Sequence, residues 1–331
     1  MSESGNKAIA PCYNDSIKFI GRLLLVAALV ITPAAHGEEW EILNEEVISL
    51  YEKGEYARAT KVAKKALKVA EETLGENHPD VATTLNNLAE LYKTQGDYEA
   101  ALPLYRRSLQ IREEKLGKNH PNVATTLNNL AGLYQTQGDY EAALPLYRRS
   151  LQIREEKLGK NHPDVATSLN NLAELYQTQG DYEAALPLYR RSLQIWEEKL
   201  GKNHPNVATT LNNLAGLYET QGDYEAALPL YRRSLQIWEE TLGKNHPDVA
   251  TSLNNLAGLY RTQGDYEAAL PLYRRSLQIW EETLGKNHPN VATSLNNLAE
   301  LYRTQGDYEA ALPLYRRYFA NIGRNTGQKP P

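Results

Sequence analysis

The sequence predicts an all-α solenoid of antiparallel helix pairs, and three observations carry that expectation. The pair His-Pro recurs at His78, His120, His162, His204, His246 and His288, always 42 residues apart. Between these marks, apolar residues fall at helical spacing in two runs parted by a Gly-Asp step. The aromatic set is skewed to 22 Tyr against 4 Trp and 2 Phe, as copying one short segment would produce. A chain of 331 residues could otherwise hold two or three ordinary domains, but repeats extend one core indefinitely.

Residues 1–37 read as an address. Lys18 and Arg22 precede the apolar run Leu23 to Ile31, then Pro33 and the small-residue stretch Ala34-Ala35-His36-Gly37. Charge, short apolar core and small-residue site fit an export signal cut after Gly37, placing the mature chain in a periplasmic or secreted compartment. Nine apolar residues are too few to span a bilayer, which needs about 20. An uncleaved membrane anchor, or a cytoplasmic chain with a mistaken start, is the alternative. Cys12 is the single cysteine, which excludes a disulfide framework and a cysteine-based metal site, and its place ahead of the apolar core is not that of a lipoprotein cysteine.

Seven repeats then cover residues 38–323. The first, 38–77, is diverged but keeps Gly54, Tyr56, Ala59 and Leu67. The others are 78–119, 120–161, 162–203, 204–245, 246–287 and 288–323, followed by a polar tail, 324–331. In the second repeat, Val81, Leu85, Leu88, Ala89 and Tyr92 form one helical stripe, with Pro79 in a tolerated first-turn position and Gly96 at the end. Asp97 caps a second helix, whose first turn carries Glu99 and whose apolar face is Tyr98, Ala101, Leu102, Tyr105, Leu109 and Leu116. Gly117 stops it. Pro103 breaks the local rules by sitting inside that helix, where it removes one backbone hydrogen bond and should bend the axis. One helix pair buries too little apolar surface to offset its ordering entropy, so it must lean on neighbours. Ala82, Ala89, Ala100 and Ala101 permit that close approach.

The pattern Leu85, Leu88, Ala89, Tyr92, Gly96, Ala101, Tyr105 resembles the tetratricopeptide repeat. The 42-residue period, Asn86-Asn87-Leu88, Leu102-Pro103-Leu104-Tyr105 and the linker Gly117-Lys118-Asn119-His120-Pro121 resemble its kinesin light chain subtype. The resemblance implies a right-handed superhelix with first helices lining a concave groove, and a scaffold or adaptor that binds protein or peptide partners there. It does not imply a motor, because nothing here resembles the coiled coil that attaches such repeats to one.

The helical wheel turns Thr83, Asn86, Asn87, Glu90 and Thr94 away from the apolar stripe of the first helix. Asn87 recurs as Asn129, Asn171, Asn213, Asn255 and Asn297, giving one carboxamide per repeat. Such a row can pair with an extended peptide backbone, or the amides can bond one another for structure alone. The resemblance supports the first use, since the matching asparagine of related domains contacts bound peptide. Asn86 reads as structural. Two positions vary between copies: Glu90, Gly132, Glu174, Gly216, Gly258, Glu300, and Lys93, Gln135, Gln177, Glu219, Arg261, Arg303. They either tune the groove's local charge and shape or reflect drift after duplication. A clamp for a C-terminal carboxylate is not expected, because Thr83 and its equivalents stand where related domains place a basic residue.

On the second helix, Arg112 and Arg154 give way to Trp196, Trp238 and Trp280, whose spacing predicts packing against the following repeat. Arg106-Arg107 and its copies are expected to form ion pairs with Glu99, Glu113 and Glu114 of their own helix rather than a phosphate site. The repeated histidines stand one per linker, which suits caps and turns and not the three or four converging ligands of a metal site. A net charge of −5 offers no footprint for nucleic acid. No Gly-rich phosphate loop or nucleophile elbow occurs, and a catalytic set would have to be copied with the repeat, so neither enzyme activity nor a cofactor is expected. The alternative to an adaptor is a self-assembling structural protein, joined through the last repeat, where Tyr318 and Phe319 depart from the consensus.

Overall fold

A computed structural model describes residues 33–326, and among these every regular element is an α-helix. The first helices of the pairs are α1 (Pro33–Glu52), α3 (Pro79–Thr94), α5 (Pro121–Thr136), α7 (Pro163–Thr178), α9 (Pro205–Thr220), α11 (Pro247–Thr262) and α13 (Pro289–Thr304). The second helices are α2 (Tyr56–Leu74), α4 (Tyr98–Leu116), α6 (Tyr140–Leu158), α8 (Tyr182–Leu200), α10 (Tyr224–Leu242), α12 (Tyr266–Leu284) and α14 (Tyr308–Thr326). The chain divides into two compact halves, Met1–Asn171 and Leu172–Pro331. Within each half, a second helix packs on the first helix of its own repeat and on that of the next. Most of the expected address, and the end of the expected tail, lie outside the described residues. α1 runs without a break across the expected cut at Gly37, and α14 continues to Thr326.

Local chemistry explains the helix limits. His78 takes the N-cap position of α3, its Nδ1 accepting a hydrogen bond from the Asp80 N–H at 3.2 Å, with Pro79 at the first helical position. The Asp97 carboxylate caps α4 by accepting from the Ala100 N–H at 3.1 Å. Gly96 and Gly117 close the helices at φ +79° and +87°, a region that L side chains rarely adopt. α4 runs unbroken through Pro103, whose ring is exposed.

The core is built of small and branched residues from both helices. In the N-terminal half, Ala89, Ala101 and Tyr105 pack with Leu130 and Leu133 of the next repeat, all almost fully buried. Leu91 and Ile111, outside the apolar stripes expected from sequence, are buried as well, whereas Leu102, Leu109 and Leu116 are only half-covered. The cause is that each helix touches two neighbours, so two stripes rather than one face protein. Ser108 lies between them with no exposure, and its hydroxyl donates to the Ala82 carbonyl at 2.6 Å. Ser150, Ser234 and Ser276 repeat this bond with Ala124, Ala208 and Ala250.

The linkers alternate between two chemistries. His78, His162 and His246 precede Pro-Asp, with the carboxylate 3.4–3.8 Å from Nδ1, while His120, His204 and His288 precede Pro-Asn. Burial lowers the pKa of His120, His204 and His288, with Arg112 adding to the effect at His120. Their folded pKa lies below the unfolded value, so the stability they supply is present above about pH 6.5 and declines as pH falls through that window. Protonation also removes the acceptor that caps the helix, a bond worth about 1 kcal/mol. Chemical denaturation should therefore show a falling midpoint between pH 7 and pH 5. Changing these three histidines to Asn, which caps without titrating, should flatten the profile. Asp248 and Glu219, which burial pushes up, act in the opposite sense, so the difference between the two profiles is the quantity to read.

Candidate functional site: the face of the first helices

The asparagines of successive first helices form a ladder. In the N-terminal half, Asn87 Nδ2 donates to Asn44 Oδ1 at 2.9 Å, Asn129 to Asn86 at 3.4 Å and Asn171 to Asn128 at 3.2 Å. In the C-terminal half, Asn255 donates to Asn212 at 3.2 Å and Asn297 to Asn254 at 2.9 Å. Each bond joins the second asparagine of one repeat to the first of the repeat before. Two adjacent asparagines per helix are required because their side chains diverge by about 100° around the axis. One of the two Nδ2 protons is thus committed to the neighbour. Oδ1 of Asn129, Asn171, Asn255 and Asn297 makes no hydrogen bond among the described residues. Asn86 and Asn87 have no exposure, and Asn86 Nδ2 is buried without a partner among the described residues. Asn171, Asn213, Asn255 and Asn297 are half-buried.

The two variable positions converge on one hydroxyl, a link that sequence reasoning missed. The tyrosine of the second helix reaches back to the first helix of its own repeat. Tyr105 donates to Glu90 at 2.5 Å, and Lys93 bonds the other oxygen of that carboxylate at 3.1 Å. Tyr147 donates to Gln135 at 2.9 Å, Tyr189 to Gln177 at 2.9 Å and Tyr231 to Glu219 at 2.8 Å. Tyr315 donates to Glu300, which also accepts from Arg303 at 2.6 and 3.0 Å. Tyr273 alone among these makes no such bond. Burial raises the pKa of Tyr105, Tyr231 and Tyr273 and keeps their protons on as donors. The Arg303 and Tyr315 hydrogen bonds hold the Glu300 carboxyl below its ordinary range. Burial pushes Glu219 up, against the pull of Tyr231 and Arg261.

Of the other sequence-predicted residues, Glu90 is buried within the Tyr105–Lys93 network, while Glu174 is exposed and Arg261 half-buried. The tryptophan position is a core position. Trp196 and Trp280 are 6% and 7% exposed, and Trp238 packs against the core around Tyr273. Arg112 occupies the same place at 2% exposure, donating to the Asn122 carbonyl at 2.9 Å, to Thr126 Oγ1 at 2.7 Å and to Thr83 Oγ1 at 3.2 Å. Burial lowers its pKa to about 10.

The expected ion pairs of the second helix are corrected. Arg107 bonds Glu71 of the preceding repeat at 2.6 Å and the Glu76 carbonyl at 3.1 Å, and not a glutamate of its own helix. Arg149–Glu113, Arg233–Glu197, Arg275–Glu239 and Arg317–Glu281 repeat the pairing. Stacked second helices bring the arginine beside the last turn of the helix before, which is closer than its own charges. Arg106, Arg190 and Arg274 in turn donate to Tyr134, Tyr218 and Tyr302 of the next first helix. Among the described residues no group of three His, Cys, Asp or Glu could hold a metal ion, and no helix is long and apolar enough to cross a membrane.

Stacked helix pairs with a recurring ladder across their first helices define a helical-repeat protein. The tetratricopeptide repeat model matches residues 41–114, 94–156, 122–198, 164–237, 207–279 and 250–321, and the chain belongs to that family. Its structure is similar to that of BtubC (BKLC) from P. vanneervenii, with a TM-score of 0.56 at 26% identity over 73% of this chain and 92% of that one. It is similar to a putative kinesin light chain of Podosopora anserina with nearly identical TPR-like repeats, with a TM-score of 0.53 at 27% identity over 62% and 98%. The apo form of RapI shares the fold, with a TM-score of 0.65 at 19% identity over 87% and 99%. No curated protein matches the chain in sequence.

Proposed function

We propose that the protein is a non-catalytic scaffold or adaptor that binds protein or peptide partners along the face of its first helices. One observation carries this reading: Asn129, Asn171, Asn255 and Asn297 each donate through Nδ2 to the neighbouring repeat and keep Oδ1 as an acceptor. A row of such acceptors suits the backbone N–H groups of an extended chain, and the varying residues beside it supply selectivity. The test begins with random dodecapeptides, displayed through a fused C-terminus and selected on the full chain. Enriched peptides should bind the Asn255→Leu, Asn297→Leu double variant about tenfold more weakly, as losing one or two hydrogen bonds implies. Circular dichroism should keep its helical signal. Equal affinity for both proteins removes the ladder from the binding account.

A second reading is self-assembly through the last helix. Leu312 and Phe319 on α14 are 52% and 48% exposed, and Phe319 packs on Tyr318 with ring centroids 5.1 Å apart. Leu270, the counterpart of Leu312 one repeat earlier, is half-buried in the core of its half. Light scattering should show mass rising with concentration, and Leu312→Ser with Phe319→Ser should abolish the rise. A monomer at every concentration excludes this route.

A further inference from the structure

The repeats act as controls for one another, and one of them is chemically incomplete. Five tyrosines at the position of Tyr273 donate to an acceptor on their own first helix: Glu90, Gln135, Gln177, Glu219 or Glu300. In the repeat 246–287 the two positions that supply this acceptor are Gly258 and Arg261. Glycine has no side chain and arginine only donates, so Tyr273 cannot be served from within. Its hydroxyl makes no hydrogen bond among the described residues, and neither does the Arg261 guanidinium, which forms no ion pair. Glu219 and Glu300 of the flanking repeats feel the Arg261 charge, but their hydrogen bonds go to Tyr231 and to Arg303 with Tyr315.

The next repeat shows what completes such a pair. There the Glu300 carboxylate receives Arg303 Nε at 3.0 Å, Arg303 Nη2 at 2.6 Å and the Tyr315 hydroxyl. Glu90 plays the same part between Lys93 and Tyr105. At Gly258 the two donors are present and the carboxylate is missing. A Cβ added there would lie 3.6 Å from the Tyr273 hydroxyl oxygen and meet nothing else within 4 Å, so the approach is open.

We propose that a bound peptide supplies this carboxylate: an Asp or Glu side chain enters at Gly258 and accepts from Arg261 and Tyr273. The site deepens the groove reading given above and rests on it. It would set one fixed acidic position in the recognised sequence, about one repeat from the matching internal carboxylate of Glu300.

The dodecapeptide selection tests this, because a fused C-terminus leaves only side chains to provide a carboxylate. Selection on the full chain should enrich Asp or Glu at one fixed position, and the same library on Arg261→Gln should not. Tyr273→Phe should weaken the winning peptide, and Gly258→Glu should exclude it, each by about tenfold or more, as loss of charge-assisted hydrogen bonds implies. Gly258→Glu also serves as the folding control. It installs the arrangement of Glu300, Arg303 and Tyr315, so its thermal midpoint should equal or exceed that of the unaltered chain. Peptides enriched without an acidic position, or equally on Arg261→Gln, overturn the inference and leave the groove reading standing. Full affinity in Gly258→Glu overturns it too. Absence of any enriched peptide removes both.

Discussion

A peptide spanning one repeat, residues 120–161, should show little helix in water and no cooperative unfolding transition. The reason lies in where its apolar side chains go. Leu130 and Leu133 are buried against Ala89, Ala101 and Tyr105 of the repeat before, not against their own second helix alone. Asn129 bonds Asn86, and Arg149 bonds Glu113 and the Lys118 carbonyl, all outside the excised segment. What stays inside is the cluster of Val123, Ala124, Leu127 and Ile153, with the Ser150–Ala124 bond. That remainder is too small to offset the entropy of ordering a helical hairpin, and helices of 16 and 19 residues are marginal alone. Three consecutive repeats should recover most of the helical signal per residue and a sharp transition. A single repeat that melts cooperatively by circular dichroism would show that the contacts between repeats are not what holds the fold.

Arg112→Trp should raise stability by roughly 1–4 kcal/mol, the range seen when buried ionic groups are replaced by packed apolar ones. Arg112 is buried with no carboxylate bonded to it; its three partners are a carbonyl and two hydroxyls. Burial works against its charge, as the lowered pKa records. The protein already contains the alternative, since Trp196 stands at the same place in a repeat whose matching residues are Thr167, Asn206 and Thr210, as against Thr83, Asn122 and Thr126. Thr83 and Thr126 still donate to the carbonyls of Pro79 and Asn122, so neither hydroxyl proton is orphaned. Urea denaturation at neutral pH measures the change. A lower midpoint would mean that the guanidinium bonds outweigh the cost of burying the charge.

The helices, their caps and their boundaries were legible from the sequence because they depend on neighbours in the chain. His78 before Pro79 and Asp97 before Tyr98 announce helix starts, and the structure places a cap at each. Partners between repeats were not legible. Nothing local distinguishes Glu71 from Glu99 as the mate of Arg107; only the stacking of second helices decides it. Leu91 and Ile111 were missed for a related reason, as a helix gripped from two sides has two buried stripes and a single-stripe reading finds one. The asparagine ladder was half legible. Its presence follows from the repeat, while the division of labour between Nδ2 and Oδ1 needed the relative rotation of adjacent first helices. The acceptor for each tyrosine could have been found from the residue pairs at the two variable positions, because Gly258 with Arg261 is the one combination of the six that holds no acceptor at all.

The arginine–glutamate pairs that tie second helices to the ones before them within each half share one sequence offset, 36 residues. A bond defined by offset is indifferent to copy number. Unequal recombination that inserts or deletes a whole 42-residue segment delivers every arginine to an equivalent glutamate, so the array can lengthen or shorten without a faulty joint. Loss of a few residues inside a segment shifts the register and strands both partners. Change in whole-segment steps therefore preserves every joint, while change within a segment does not.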